Sequence, residues 1–164
     1  MPTSGCWPAL RKEAPYDRIS PDDRGGHRRL CPPAYPAARG GGGTADCDLL
    51  PALLDYYGRH LHDGTFVSWL ALDGERIVGT SGISIVEKPA WFGCPTGKIG
   101  LISSMYTDKA YRRQGIARRL LTLVTDAAKE QGCGAVWITA SDMGVPFYAG
   151  CGFVHNGNFM QCKL

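Results

Sequence analysis

The stretch YRRQGIARRLLTLV, Tyr111 to Val124, joins a basic, glycine-containing turn to the start of a helix. Ile116, Leu120 and Val124 recur at helical spacing and form one apolar stripe. We therefore predict a helix that buries this stripe and runs to about Gln131, where two glycines follow in the sequence. A helix of this length between two strands permits a parallel crossover, which is almost always right-handed.

The basic turn, Arg112 to Gly115, lies where the first amide hydrogens of the helix have no intrahelical partner. These amides and the helix dipole attract anions, and a glycine allows a ligand to approach the backbone. The turn is therefore a candidate site for a pyrophosphate group. The alternative is a solvated helix start whose positive charge has no ligand.

The flanking sequence predicts a series of helices and strands. Alternating and β-branched runs bounded by turn residues indicate strands, and apolar residues at helical spacing indicate helices. We predict a helix over 48–62, strands over 65–72, 76–86 and 98–107, the helix described above, a strand over 135–141, a short helix over 146–150 and a closing strand pair over 153–164. The fold class is α/β, a mixed sheet with helices on its faces.

Residues 1–45 differ in composition from the rest of the chain. They contain seven of its 11 prolines and seven of its 22 glycines, which sustain neither helix nor strand periodicity. We expect a poorly ordered or atypical leader, followed by a domain over 46–164. A basic arm that contacts a partner, or a segment encoded in a shifted reading frame, are the alternatives.

Composition and charge limit the classes of function. A net charge of +3 and a pI of about 8.5 fit an anionic small ligand and do not require nucleic acid. The seven cysteines form no C-x-x-C pair, so we expect free thiols and no metal site. The segment GCPTGK is too short for a phosphate-binding P-loop. Without a signal-length or membrane-spanning apolar run, we expect a cytoplasmic protein with no membrane partner.

Two motifs carry a family resemblance. Arg112, Gly115 and Ala117 match the pattern Arg or Gln-x-x-Gly-x-Gly or Ala, and Tyr148 to Phe153 match Tyr-x-x-x-Gly-Phe. In this order, separated by a strand, they resemble the GNAT superfamily of acetyl-CoA-dependent N-acetyltransferases over about residues 46–164. The resemblance implies a mixed, mostly antiparallel sheet with helices on both faces, and acetyl-CoA as cosubstrate.

The resemblance also implies roles for individual residues. Tyr148 would be the general acid that protonates the leaving thiolate. Ser141 stands where many relatives carry an asparagine that contacts the cofactor. The strand before the motif would pair with the pantetheine arm, and the turn would hold the pyrophosphate. The implied cofactor-binding residues are Met105, Tyr106, Thr107, Arg112, Arg113, Gln114, Gly115, Ile116, Ala117, Arg118 and Ser141.

The general base is not assigned by the sequence. Many relatives place a glutamate on the strand before the turn, where this chain has Ser103 and Ser104. A water chain would need no dedicated residue, and the side-chain candidates are Asp142, Glu87, His60 and His62. The loop 87–97, which contains Trp91 and Phe92, either borders the acceptor site or packs on its own aromatic rings.

We therefore expect direct transfer, in a ternary complex, of the acetyl group to a primary amine of a small molecule or a protein terminus. The family's first strand and helix should lie in residues 1–45, whose composition is unfavourable for both. This keeps a second reading open, a non-catalytic acyl-CoA sensor or a decayed enzyme that lacks part of its acceptor site. A third reading is nucleic-acid binding by the leader, and a homodimer also stays open.

Overall fold

The structure is a computed structural model, and it describes residues 18–21, 48–155, 157, 160 and 162. In these ranges the chain forms a five-stranded sheet with helices. The elements are β1 (Arg18–Pro21), α1 (Leu50–Asp63), β2 (Phe66–Asp73), β3 (Arg76–Glu87), β4 (Lys98–Thr107), a 3-10 helix (Lys109–Tyr111), α2 (Ile116–Glu130), β5 (Ala135–Ile138) and α3 (Val145–Ala149).

The strands lie in the order β1-β2-β3-β4-β5. The pairings of β1 with β2, β2 with β3 and β3 with β4 are antiparallel, and β4 pairs with β5 in parallel. Because α2 connects the two parallel strands, it is the crossover that the sequence predicted. The predicted mixed, mostly antiparallel sheet is confirmed.

The two long helices lie on opposite faces of the sheet. Tyr57 of α1 packs in one cluster with Phe66 and Leu70 of β2. The intervening residue Ala71 packs instead with Leu120 of α2. Because successive strand residues point to opposite faces, α1 and α2 must cover different faces, as predicted.

The apolar stripe of α2 is buried as the sequence predicted. Ile116, Leu120, Val124 and Ala128 have side chains that are at most 1% exposed. Burial of a leucine-sized side chain contributes about 2 kcal/mol. This stripe therefore fastens α2 to the sheet and fixes where its N-terminal turn lies.

One expectation for the leader is wrong. We expected residues 1–45 to contain no strand, but Arg18–Pro21 form β1 and pair with Trp69–Leu72 of β2. Proline has no N–H to donate within a sheet, but β1 tolerates it because β1 is an edge strand and Pro21 is its last residue. The rest of the predicted leader, and the boundary between residues 45 and 46, lie outside the described residues.

The predicted closing strand pair over 153–164 is not found at its described positions, which are 153–155, 157, 160 and 162. Instead, the Phe153 backbone N–H donates to the carbonyl of Tyr148, and Gly152 has a positive φ of 89°. The chain therefore folds back on the end of α3 rather than extending. The other positions of the segment lie outside the described residues.

Candidate functional site

A gap opens between β4 and β5 at one end of the sheet. The two strands pair only from Ile99–Ala135 to Ile102–Ile138, whereas β4 continues to Thr107. In the described part of the chain, nothing pairs with residues 103–107 on the side of β5. We call this gap the wedge. It leaves backbone donors and acceptors of β4 available to an extended ligand.

A β-bulge lies where β4 enters the wedge. Thr80 pairs with Tyr106 and Gly82 with Ser103, so Ser104 and Met105 together oppose one residue of β3. Ser104 has a φ of 55°, in the left-handed region that non-glycine residues rarely adopt. The bulge therefore redirects the last residues of β4. These include Met105, Tyr106 and Thr107, which the family resemblance assigned to the pantetheine arm.

The wedge leads to the turn before α2. Arg113 and Gly115 have positive φ values of 63° and 85°, on either side of Gln114. Left-handed residues in such a turn aim successive backbone N–H groups into one concavity, which suits an anion. A Cβ added at Gly115 would meet no protein atom within 4 Å. The space beside this glycine is therefore open to a ligand.

Positive charge gathers at this turn. Arg113, Arg118 and Arg119 are exposed, and within residues 48–155 they form no ion pair. Arg112 folds back, and its Nε donates to the Thr107 carbonyl at 3.2 Å. Cations at a helix N-terminus oppose the helix dipole, so a bound anion would relieve this unfavourable arrangement.

Asp108 anchors the turn to the sheet, a role that the sequence analysis missed. Its Oδ1 accepts from the Ala110 backbone N–H at 3.1 Å, and its Oδ2 accepts from Arg76 Nη2 at 2.6 Å. These two bonds lower the pKa of Asp108, the Ala110 N–H contributing most. An Asp at the start of a turn could have predicted the bond to the Ala110 N–H, but nothing in the local sequence predicts the bond to Arg76.

Tyr148 lies at the narrow end of the wedge. Its ring is 8% exposed and packs in one cluster with Ile102, Met105 and Ile138, on both strands. Phe153 packs edge-on against it, with ring centroids 5.7 Å apart. The Tyr148 hydroxyl makes no hydrogen bond to any residue that the structure describes. It is therefore available to a ligand.

Burial raises the pKa of Tyr148 to about 12, and the nearby Cys151 thiol contributes in the same direction. A phenol with this pKa is fully protonated at neutral pH. It can donate a hydrogen bond, and it does not act as a base.

The raised pKa predicts a loss of stability at high pH. The protonated phenol stabilises the fold fully below pH 10, the ordinary pKa, and this contribution is lost as the pH rises toward 12. Relative to Tyr148→Phe, the free energy of unfolding of the wild-type protein should fall by about 2 kcal/mol over this range. Denaturant unfolding of both proteins between pH 8 and pH 11.5 measures it. Parallel curves would contradict the burial of the phenol.

Ser141 lies beside Tyr148. A Cβ added at Gly144 would lie 3.1 Å from Tyr148 Cε2 and 3.4 Å from Ser141 Oγ, so both side chains border this glycine. The Ser141 carbonyl accepts from the backbone N–H groups of Gly144 and Val145 and thereby begins α3. The structure thus brings the predicted Ser141 and Tyr148 together. The remaining predicted residues follow one another along the end of β4, the turn and the first residues of α2.

Of the base candidates, His60 and Glu87 lie away from the wedge. His60 Nδ1 is 2.6 Å from Thr65 Oγ1, next to the start of β2. Glu87 ends β3 and pairs with Lys98 Nζ at 3.5 Å, at the other end of β4. His62 is also on the last turn of α1. That leaves Asp142, exposed just before α3 and next to Ser141, as the candidate nearest to Tyr148.

The aromatic loop also lies away from the wedge. It joins β3 to β4, and Lys98 begins β4 six residues before Ser104, about 20 Å along an extended strand. Trp91 packs against Trp137, with centroids 6.1 Å apart, and Phe92 is fully exposed. Trp91 therefore packs on an aromatic ring of β5 and not on the loop's own ring, Phe92.

Comparison with known proteins agrees with this geometry. The profile of the Acetyltransferase (GNAT) family matches residues 34–153. The chain belongs to this family. The resemblance stated from the sequence is thereby confirmed, together with acetyl-CoA as the family's cosubstrate.

The individual proteins that this chain resembles are also acetyltransferases by name. A crystal structure of a predicted acetyltransferase from Clostridium acetobutylicum with acetyl-CoA has a TM-score of 0.84 at 25% identity and covers 89% of this chain and 95% of its own. Rat N-acetyltransferase 8B is 33% identical over 58% of this chain and 43% of its own length. A probable glucosamine 6-phosphate N-acetyltransferase 2 from rice is 34% identical over 50% of this chain and 48% of its own length. The matches thus span about half the length of these curated relatives or less.

Other classes of site find no support in the described residues. They contain no group of three or more His, Cys, Asp or Glu side chains that could hold a metal ion. None of their helices is long and apolar enough to cross a bilayer. The four described cysteines, Cys94, Cys133, Cys151 and Cys162, form no disulfide. Burial raises the pKa of Cys133, which makes it a poor nucleophile at neutral pH.

Proposed function

We propose that this protein is an N-acetyltransferase that moves the acetyl group of acetyl-CoA to a primary amine by direct attack. The observation that carries the proposal is the wedge. Its open β4 edge leads at one end to the anion-attracting turn at Gly115, and at the other to the apolar cluster that contains Ile102, Ile138 and Tyr148. A cosubstrate with an extended amide arm between a pyrophosphate and a thioester matches this order of groups.

Binding would use both ends of the arm. The amides of the turn and of the first residues of α2, together with Arg113 and Arg118, would hold the pyrophosphate. The edge of β4 from Met105 to Thr107 would bond the amides of the pantetheine arm as a further strand does. Ile116 would contribute its backbone alone, because its side chain is 1% exposed and packs against Ala71 and Val78 of the sheet.

The chemistry follows from this placement. The amine lone pair would attack the thioester carbonyl carbon, and a backbone N–H of β4 in the wedge would stabilise the oxyanion that forms. Collapse of the intermediate breaks the C–S bond and releases the thiolate of CoA. The amide product and CoA result, and the proton lost by the amine balances the one gained by the thiolate.

Tyr148 would assist this step as the general acid. With its pKa near 12, full transfer of its proton to a thiolate of ordinary pKa about 8.5 is uphill by about 5 kcal/mol. Tyr148 would therefore act chiefly by donating a hydrogen bond to sulfur while the C–S bond breaks. The proton that finally rests on sulfur would then come from the attacking amine through water or a base such as Asp142.

The acceptor is proposed only by class. The rice relative's name points to glucosamine 6-phosphate, so this amino sugar belongs in the first set of acceptors. An aminoglycoside and a peptide with a free N-terminus represent other primary amines. The three acceptors differ in charge, which separates recognition of a phosphate from recognition of an amine alone.

The test is titration calorimetry with acetyl-CoA, followed by thiol release with each acceptor and mass spectrometry of the product. We expect saturable binding and amine-dependent release of CoA together with an acetylated product. The control is the same reaction without an amine, which measures hydrolysis. Binding without amine-dependent release for any acceptor would support the second candidate, a non-catalytic acyl-CoA sensor. The absence of binding would contradict both.

A further inference from the structure

The bulge of β4 is held by side chains from two other elements. Tyr57 Oη of α1 lies 2.7 Å from Ser104 Oγ, a hydrogen-bond distance. Thr80 Oγ1 of β3 donates to the Ser104 carbonyl at 2.6 Å. Tyr57 is 4% exposed and Thr80 is fully buried. Both the side chain and the carbonyl of the bulged residue are therefore fixed by buried partners.

These bonds act on an unfavourable backbone conformation. A non-glycine residue in the left-handed region costs about 1 to 2 kcal/mol, so it persists only where its surroundings hold it. Ser104 has a φ of 55°, and the bonds from Tyr57 and Thr80 account for its retention. A buried hydrogen bond contributes about 1 kcal/mol, which is comparable with this cost.

The position of the bulge relates it to the wedge. It follows Ile102, the last residue of β4 that pairs with β5, and it precedes Met105 to Thr107, which form the open edge. A change in the backbone angles at Ser104 would reorient this edge. The bulge thus decides how the N–H and carbonyl groups of β4 face the wedge.

We propose that Tyr57 is a positioning residue, which fixes the Ser104 bulge and through it the β4 edge against which the thioester is held. The proposal rests on the function proposed above. Tyr57 does not itself need to touch acetyl-CoA. Tyr57 acts from the face of the sheet that α1 covers, which is opposite to the face that α2 covers.

The chain offers a matched control on the same helix. Tyr56 Oη lies 2.8 Å from Ser84 Oγ, so it makes the same kind of bond to a strand serine. Ser84 is on β3 opposite Leu101, in the regularly paired part of the sheet. Tyr56→Phe and Tyr57→Phe therefore each remove one phenol hydroxyl from α1, but only the second releases the bulge.

The experiment compares these two variants by steady-state kinetics, acetyl-CoA calorimetry and amide hydrogen exchange. For Tyr57→Phe we expect kcat to fall about tenfold, which corresponds to 1.4 kcal/mol. We expect the Kd of acetyl-CoA to rise by less than about threefold, because the pyrophosphate contacts at the turn at Gly115 are kept and only the contacts of the pantetheine arm with the β4 edge are weakened. Exchange at Met105 to Thr107 should accelerate about tenfold relative to Ile99 to Ile102. Tyr56→Phe should alter none of these by more than about threefold.

Ser104→Ala breaks the same bond from its other partner and replaces Tyr57→Phe if that variant does not fold. Equal effects of the Tyr56 and Tyr57 variants, or unchanged exchange at Met105 to Thr107, would overturn the proposal. The exchange measurement needs no acceptor. If the wild-type protein transfers no acetyl group, the proposed function fails, and the exchange data still decide whether Tyr57 fixes the bulge.

Discussion

Replacement of Gly115 by alanine should weaken acetyl-CoA binding at least about tenfold, or 1.4 kcal/mol, without preventing folding. Gly115 has a φ of 85°, and its missing Cβ faces space that holds no protein atom within 4 Å. In the proposed complex this space contains the pyrophosphate. An added methyl group would therefore displace the anion from the amides at the start of α2.

The strain of the substitution must be separated from its effect on the ligand. An alanine at a positive φ costs about 1 kcal/mol wherever it occurs. Gly132 provides the control, since it has a φ of 78°, equally open space for a Cβ, and a position at the other end of α2. Gly132→Ala should therefore lower the thermal stability by a similar amount as Gly115→Ala.

Titration calorimetry with acetyl-CoA and thermal unfolding of both variants measure these effects. We expect similar melting temperatures for the two variants and a large loss of affinity only for Gly115→Ala. Equal affinities would show that acetyl-CoA does not approach the backbone at Gly115, and the pyrophosphate site would have to lie elsewhere. Addition of about 0.5 M salt should weaken the binding of acetyl-CoA to the wild-type protein, because the interaction of the pyrophosphate with the turn is largely electrostatic.

The helix α2 and its turn could be predicted because their information is local. The period of Ile116, Leu120 and Val124 selects the buried face, and Gly115 marks the break before the helix. Their position after a strand then indicates an anion site rather than an ordinary helix start. For the same reason the hairpin of β2 and β3 was predicted close to its observed bounds.

The bulge at Ser104 could not be predicted, because its partners are distant in the sequence. Tyr57 and Thr80 are 47 and 24 residues away, and they meet Ser104 only after α1 has packed on the sheet. Nothing in the local sequence KIGLISSMYT distinguishes a bulged serine from a regular one. The two adjacent tyrosines of α1 were a signal for packing, but not for this contact.

Two predictions near the ends of the chain differ from the structure. An average over residues 1–45 concealed the short stretch RISP, whose proline is tolerated because it ends an edge strand. Near the other end we predicted a closing strand pair over 153–164, yet the N–H of Phe153 bonds the carbonyl of Tyr148 in the last turn of α3. A tertiary pairing with β2 thus decides the first case, and a local turn at Gly152 that ends α3 decides the second.

Tyr148→Phe should lower kcat about 100-fold with little change in the Kd of acetyl-CoA, because loss of one hydrogen-bond donor to the charge that develops in a transition state costs about two to three orders of magnitude. The ring contacts with Phe147 and Phe153 are kept, and the lost hydroxyl has no hydrogen-bond partner in the described part of the chain. Stability at pH 7 should therefore be unchanged or slightly higher.

The Tyr148 hydroxyl has no hydrogen-bond partner among the described residues, so it contributes little to stability at neutral pH and its use lies in what it offers a ligand. Steady-state kinetics with an accepted amine, beside the control Tyr56→Phe, separate the two roles. Loss of kcat in Tyr148→Phe alone supports the proposed hydrogen bond from Tyr148 to the leaving sulfur, and full activity contradicts it. Similar losses in both variants would indicate a general effect of altered packing. Because the pKa of Tyr148 is near 12, the wild-type kcat should show no loss from its ionisation up to about pH 10.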